Sequence, residues 1–504
     1  MPLTALSALV AFAIALSGCS GGAEIGETCL RHSDCDSALQ CAQGVCAPRC
    51  QRAPDCGDGY ECDDRGLCIA AIGQRGDPCS SEVDCVAGLS CQIEADSARR
   101  LIKRCSDQTA GALAGDSCAI DDDCRNGTCA LGRCVDLCRA TRDCGAGTSC
   151  MQIPYVEAGN ATFGGCMLTN GVVSWKLPPG DSVRLPVPNQ ATQASLVLST
   201  AAPRTAAAVR VMPPSAPPEP AFKLCPRDWD FECSEAEQRT QYYVNRLRHR
   251  REVGMSVLAL PSTSSASLET SGTYNVEVRS FHVDGSKGPP PSVTAVVRFG
   301  PATQLDLHFH FLDLAEHPCG AAFSDGVLDS TSAQTDASFQ QDFLGALRSI
   351  FKESGAITLG EITYEDVVRP DLDGLEISRA GELLALGSHA QGINVFFVRN
   401  LSPVGVQAFG PNAGPAGLGG TARSGIIVGA DSLCFRDWRK LARLTAHEIA
   451  RYMGLYRNID IGGQRDGIDD SDESSANLMF YSELGGSLLS PGQREILRRS
   501  PVLR

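Results

Sequence analysis

The chain has 504 residues, 43% of them apolar and 20% charged, an ordinary globular balance with enough material for three or four packed domains. Its formal net charge of −15 speaks against nucleic acid or an anionic membrane surface as the partner and favours solubility. It contains 25 cysteines, a number that, in an exported chain, reads most simply as a disulfide framework.

The first residues, "MPLTALSALVAFAIALSGCS", read as a targeting segment. The apolar run from Ala8 to Leu16 has signal-peptide length and is too short to span a bilayer as a helix. It ends in "LSGC", Leu16 to Cys19, which resembles the lipobox of bacterial lipoproteins. The resemblance implies that residues 1–18 are removed and that Cys19 is lipidated as the mature N-terminus. An acyl anchor then holds a soluble protein at the cell envelope, at the outer membrane or cell surface. Residues 19–28 form the tether, with "SGGAEIGE" as its flexible part.

Setting Cys19 aside leaves an even number of cysteines, and twenty of them fall between Cys29 and Cys166. They repeat as Cys29/35/41/46, Cys50/56/62/68, Cys79/85/91/105, Cys118/124/129/134 and Cys138/144/150/166. Asp stands directly before the second cysteine each time, as Asp34, Asp55, Asp84, Asp123 and Asp143. Five copies of one pattern mark an internal repeat over residues 29–166. Units of this size cannot bury a sufficient core and need covalent staples. Zinc is the rival reading, but zinc knuckles favour closer cysteine pairs, often with histidine, and only His32 lies nearby. Four cysteines allow three pairings, among which sequence does not choose. The recurring Asp is expected to cap a turn through its own backbone. The spacing resembles four-cysteine modules of secreted bacterial lipoproteins and, more distantly, the cysteine-rich domain of Dickkopf proteins. This implies a stalk or a binding surface, not chemistry.

Residues 171–301 change texture. "SVRLPVP", "ASLVLST", "AAAVRVM", "GMSVLALP", "GTYNVEVRSFHV" and "SVTAVVRFG" read as strands between turn residues, which predicts an all-β sandwich. "GTYNVEVRSFHV" resembles the late hairpin of accessory sandwich domains of secreted peptidases. "PPSAPPEP", residues 213–220, is an exposed spacer, and "SEAEQRTQYYVNRLRHRRE" a solvated helical insert. Cys225 and Cys233 are expected to close a small loop.

Residues 302–504 alternate strand and helix and predict an α/β domain. "QLDLHFHFLD", "AITLGEITYEDV", "GINVFFVRNL" and "SGIIVGAD" are strands; "SFQQDFLGALRSIFKESG", "ISRAGELLALG" and "FRDWRKLARLTAHEIARYMG" are helices. Cys319 and Cys434 are expected to pair. His308 and His310 share a strand face with Asp306, which reads as the polar side of an amphipathic strand. His317 and His389 read as isolated polar residues, and "DGIDDSDESS", residues 466–475, as a solvated acidic loop.

The helix "LTAHEIARYMGLYRN" and the later "NLMFY" resemble the metzincin clan of zinc metalloproteases, whose signature is His-Glu-x-x-His-x-x-Gly-x-x-His followed by a Met-turn. The resemblance covers about the last 200 residues and includes "LSPGQREILRRSPVL" as the closing helix. It implies that His447 matches the first metal ligand, Glu448 the general base, Gly454 the bend and Met479 the Met-turn. It also implies that "GINVFFVRN" is the edge strand that accepts extended peptides. The second and third ligand positions hold Arg451 and Arg457. Guanidinium has no lone pair for a metal and stays protonated. Zinc needs about three protein ligands plus water, so no metal is expected; His447 would be its contact if any were held. Glu448 and Arg451, three apart on the helix, are expected to pair.

The whole is then a multidomain chain of disulfide-rich repeats, β-sandwich and metzincin-like α/β domain. The expected function is a membrane-anchored, non-catalytic pseudo-metalloprotease that binds peptide or protein. The other reading is an active zinc endopeptidase with a non-standard ligand set.

Overall fold

Aspartate and cysteine together build the first part of the structure. A computed structural model describes residues 31–504 apart from 37–38, 43–44, 52–59, 63–65, 67, 71–72, 96–100, 157–160, 201–204, 213, 216–254, 262–263, 265–266, 283–285, 313, 315–316, 324–325, 390, 411–424, 460–464, 467 and 483–484. Cys19, the tether, Cys225, Cys233 and the basic helical insert lie outside the described residues. In the best-described repeats a three-residue 3-10 turn, such as Glu82–Asp84 or Asp121–Asp123, leads into a two-stranded hairpin. The third and fourth cysteines face each other across that hairpin, as Cys91 opposite Cys105 and Cys150 opposite Cys166. Each is stapled back to the turn. The first cysteine pairs with the third and the second with the fourth, as in Cys79–Cys91 with Cys85–Cys105 and Cys138–Cys150 with Cys144–Cys166. The recurring Asp caps the turn: Asp84 Oδ2 accepts from the Ser80 and Ser81 amides at 2.8 and 2.9 Å. Asp123 and Asp143 repeat this at Ala119/Ile120 and Arg139/Ala140. The fold of the third, fourth and fifth units is thus fixed by one carboxylate and two covalent bonds, where apolar burial is scarce.

Seven strands follow: β1 (Gly171–Lys176), β2 (Ser182–Val187), β3 (Ala191–Ser199), β4 (Thr205–Met212), β5 (Met255–Leu260), β6 (Gly272–Phe281) and β7 (Ser292–Phe299). They form two antiparallel sheets, ordered β1-β7-β3-β5 and β2-β6-β4. Period-two burial puts Leu185, Leu196, Tyr274, Val276 and Val297 between the sheets, all 0% exposed. The fifth repeat shares this core: Met151, Ile153, Phe163 and Met167 are buried in the same cluster. The repeats are therefore continuous with the sandwich at that end.

The last part is a five-stranded sheet with helices packed on it. Its strands are β8 (Gln304–Phe311), β9 (Thr358–Asp366), β10 (Ile393–Val398), β11 (Ala408–Phe409) and β12 (Ile426–Gly429). Their order is β9-β8-β10-β12-β11, parallel except that β11 runs antiparallel to β12. The expectation that "GINVFFVRN" is an edge strand is corrected: β10 lies in the middle, buried throughout, and the edge is the two-residue β11. An unbroken apolar run is what a parallel strand covered on both faces requires. Helices α1 (Gly345–Glu353) and α2 (Trp438–Tyr452), with the helical segment Ser338–Leu344 that leads into α1, pack on the sheet through an aromatic cluster of Phe309, Phe339, Phe343, Phe397 and Trp438. Helix α3 (Pro491–Arg498) closes the domain, started by the Ser490 side chain, which accepts from the Gln493 amide. Cys319–Cys434 is a disulfide that ties the segment after β8 to the segment before α2. Arg298, 1% exposed, donates through Nη1 to Ser500 O at 2.6 Å and joins sandwich to α/β layer. No helix among the described residues is long and apolar enough to cross a membrane.

Candidate functional site: the cleft over helix α2

Helix α2 begins where the Asp437 side chain accepts from the Lys440 amide at 2.8 Å. Leu441, Ala446, Ile449 and Ala450 turn to the core at 0% exposure. Spacing of three and four then sets His447, Glu448 and Arg451 along a neighbouring stripe. That stripe floors a cleft of about 420 Å³. One wall is Gly405–Phe409, containing edge strand β11; the other is Phe480–Ser482. Arg443, Leu444 and Arg457 complete the lining near the helix.

The helix stops because Gly454 takes φ +121°, a backbone conformation that favours glycine strongly. The chain bends back, buries Leu455 and brings Arg457 to the cleft. Beneath lies the turn carrying Met479, 0% exposed. Its amide donates to Asn477 Oδ1 at 2.8 Å, and its carbonyl accepts from the Asn458 amide at 3.3 Å. The turn is fastened to the helix from above: His447 Nδ1 donates to Leu478 O at 2.8 Å. Arg443 donates to the carbonyls of Leu478, Phe480, Ser482 and Gly486.

Within the cleft the expected pair forms. Arg451 Nη1 lies 3.2 Å from Glu448 Oε1 and 3.4 Å from Oε2, with side chains 6% and 8% exposed. Gly410, just past the edge strand, makes room for this carboxylate: a Cβ there would sit 2.9 Å from Glu448 Oε2. Burial lowers the His447 pKa to about 4, so the imidazole is neutral at pH 7. With Nδ1 carrying the proton toward Leu478 O, Nε2 holds the lone pair.

The structure thus gathers His447, Glu448, Arg451 and Arg457 in one cleft, with Gly454 and Met479 as the bend and floor beneath. These residues do not fit the zinc that the resemblance implies. One imidazole faces two guanidiniums, and the carboxylate is held by an arginine. Sequence reasoning missed Arg443, which stands one turn before His447 on the same face; the i−4 spacing was the available signal. It also missed β11, too short to carry a pattern.

Other expected features change character. His308 and His310 are not on a solvated face: they are 5% and 1% exposed. His389 is not isolated. Its ring stacks on His308 at 3.6 Å between centroids, and Nε2 donates to Glu365 Oε1 at 2.5 Å. His308 donates through Nε2 to Gln391 O and accepts from Thr363 through Nδ1; His310 donates through Nε2 to Asn394 Oδ1. Burial lowers the pKa of both. His317 is likewise committed, donating to Arg399 O and accepting from the Cys319 amide. Among the described residues, the only side-chain groups gathered closely enough for a metal are cysteine triplets already in disulfides. The acidic stretch 466–475 is only partly solvated: Ile468 and Ser471 are buried, and Asp470 accepts from Ser490 and the Gly492 amide to hold the start of α3. Asp466 is pushed up to about 6 by burial.

Comparison with protein-family models and with curated proteins finds no match.

Proposed function

We propose that this is an exported, lipid-anchored surface protein whose α/β layer is a metzincin-type fold that binds peptide or protein without cleaving it. The observation that carries this reading is the Glu448–Arg451 ion pair at 3.2 Å, buried in the cleft floor. Hydrolysis by such a fold requires a carboxylate beside a metal-bound water of lowered pKa. Here the carboxylate is neutralised by a side chain that cannot bind metal. The edge strand β11 beside the floor supports a binding role, because an extended peptide can add to an open strand edge. The cleft volume lies in the range of ligand sites. Tyr481, 39% exposed, and Val406 in the lining offer apolar contact. The stapled repeats and Cys319–Cys434 support export to an oxidising compartment. In this reading Cys19 carries the acyl anchor.

The test is metal analysis and casein cleavage with the full chain purified from an oxidising host. Zinc well below one equivalent and no cleavage are expected. One zinc per chain, with cleavage lost in Glu448→Ala, would establish an endopeptidase instead. For the anchor, cells fed radiolabelled palmitate are expected to label the wild-type chain and not Cys19→Ser; equal labelling of both removes the anchor.

A further inference from the structure

The cleft carries an unusual charge for this molecule. Three guanidiniums, of Arg443, Arg451 and Arg457, line it against the single carboxylate of Glu448, in a chain of net charge −15. His447 adds none at neutral pH. Arg443 is committed to four backbone carbonyls, yet its charge stays in place. Arg451 and Arg457 stand at the positions where a family member would place two imidazoles around a dication. The residues that exclude the metal thus bring positive charge to its neighbourhood, without its Lewis acidity. Arg457 is half-buried and lines the cleft. A guanidinium offers five N–H donors in a planar fork, matched to the two oxygens of a carboxylate. In a partly desolvated cleft such a contact is stronger than on an open surface.

We propose that the cleft selects peptides that carry a carboxylate, held by Arg457 while the peptide backbone pairs with the Ala408–Phe409 edge. This rests on the reading above that the cleft holds peptide. The carboxylate has two sources, a free C-terminus or an Asp or Glu side chain, and the experiment separates them.

Fluorescein-labelled Gly-Val-Ala-Val-Ala would be titrated with the full-length protein by fluorescence anisotropy in three forms. These are the free acid, the C-terminal amide, and the amide with Asp in place of the second Val. The free acid is expected to bind at least about tenfold more tightly than the plain amide. That advantage should vanish in Arg457→Gln, persist in part in Arg457→Lys and shrink in about 0.5 M salt. If the Asp-containing amide binds like the acid, side chains suffice; if it binds like the plain amide, the terminus is what the cleft takes. Equal, measurable affinity for all three forms overturns carboxylate selection and leaves peptide binding standing. No binding of any form overturns both.

Discussion

Arg451→His combined with Arg457→His is expected to turn the cleft into a zinc site. His447 is already prepared for it. Its Nδ1 donates to Leu478 O, which leaves Nε2 as the electron-pair donor, and that outer hydrogen bond is the arrangement that orients metal-bound histidine. Position 451 lies one helical turn beyond His447 on the same stripe, and the bend at Gly454 returns position 457 to the cleft. Three imidazoles with one open position suit zinc. The gain should be on the order of 10 kcal/mol of binding free energy, a dissociation constant in the sub-micromolar range. Plasma emission analysis should find about one zinc in the double variant, and little in the Gln/Gln double variant or when His447→Gln is added. A folded His/His variant that takes no metal would mean that the three positions do not converge. At saturating zinc, about a hundred times the dissociation constant, the thermal transition should also rise by roughly 2.7 kcal/mol equivalent.

Arg451→Ala alone is expected to be among the most destabilising single changes in the α/β layer. The Glu448 side chain is 8% exposed, and Arg451 Nη1 contacts both of its oxygens. Removing the cation strips a buried carboxylate of its ion-pair partner, at a cost of about 3–5 kcal/mol. The matched double change, Glu448→Leu with Arg451→Met, removes both charges and should cost far less, within about 1–2 kcal/mol of wild type. Scanning calorimetry of the three proteins makes the comparison. The single variant should melt lower by roughly 6–15 °C. If it melts within two or three degrees of wild type, the pair is not what keeps the floor of the cleft in place.

The two predictions rest on parts of the molecule that differ in how far sequence discloses them. The residues of α2 were legible because helical spacing of three and four is a strong signal and the motif is local. So were six of the seven sandwich strands, where alternation and turn residues agree; β1 (Gly171–Lys176) was missed. The capping Asp was legible because its position repeated, but the disulfide pairing was not, since spacing alone leaves three choices. Strand β8 misled in a specific way. Its alternation of Leu and Phe with Asp and His reads as one wet face, and a periodicity argument has no access to a distant loop. His389 stacks from that loop over His308, and Arg504 pairs with Asp306. The polar face is thereby buried and satisfied by hydrogen bonds. The continuous apolar run of β10 was legible as a strand, and its lack of alternation was the sign that it belonged inside the sheet. Arg443 drew no reading from sequence; its role depends on four carbonyls about 35 to 43 residues away.

The fifth repeat merges its core with the sandwich, and Arg298 locks the sandwich to Ser500. From Cys138 onward the molecule therefore has the build of a single strut. The α/β layer is thereby coupled to the fifth repeat through packed side chains and staples rather than through a bare linker.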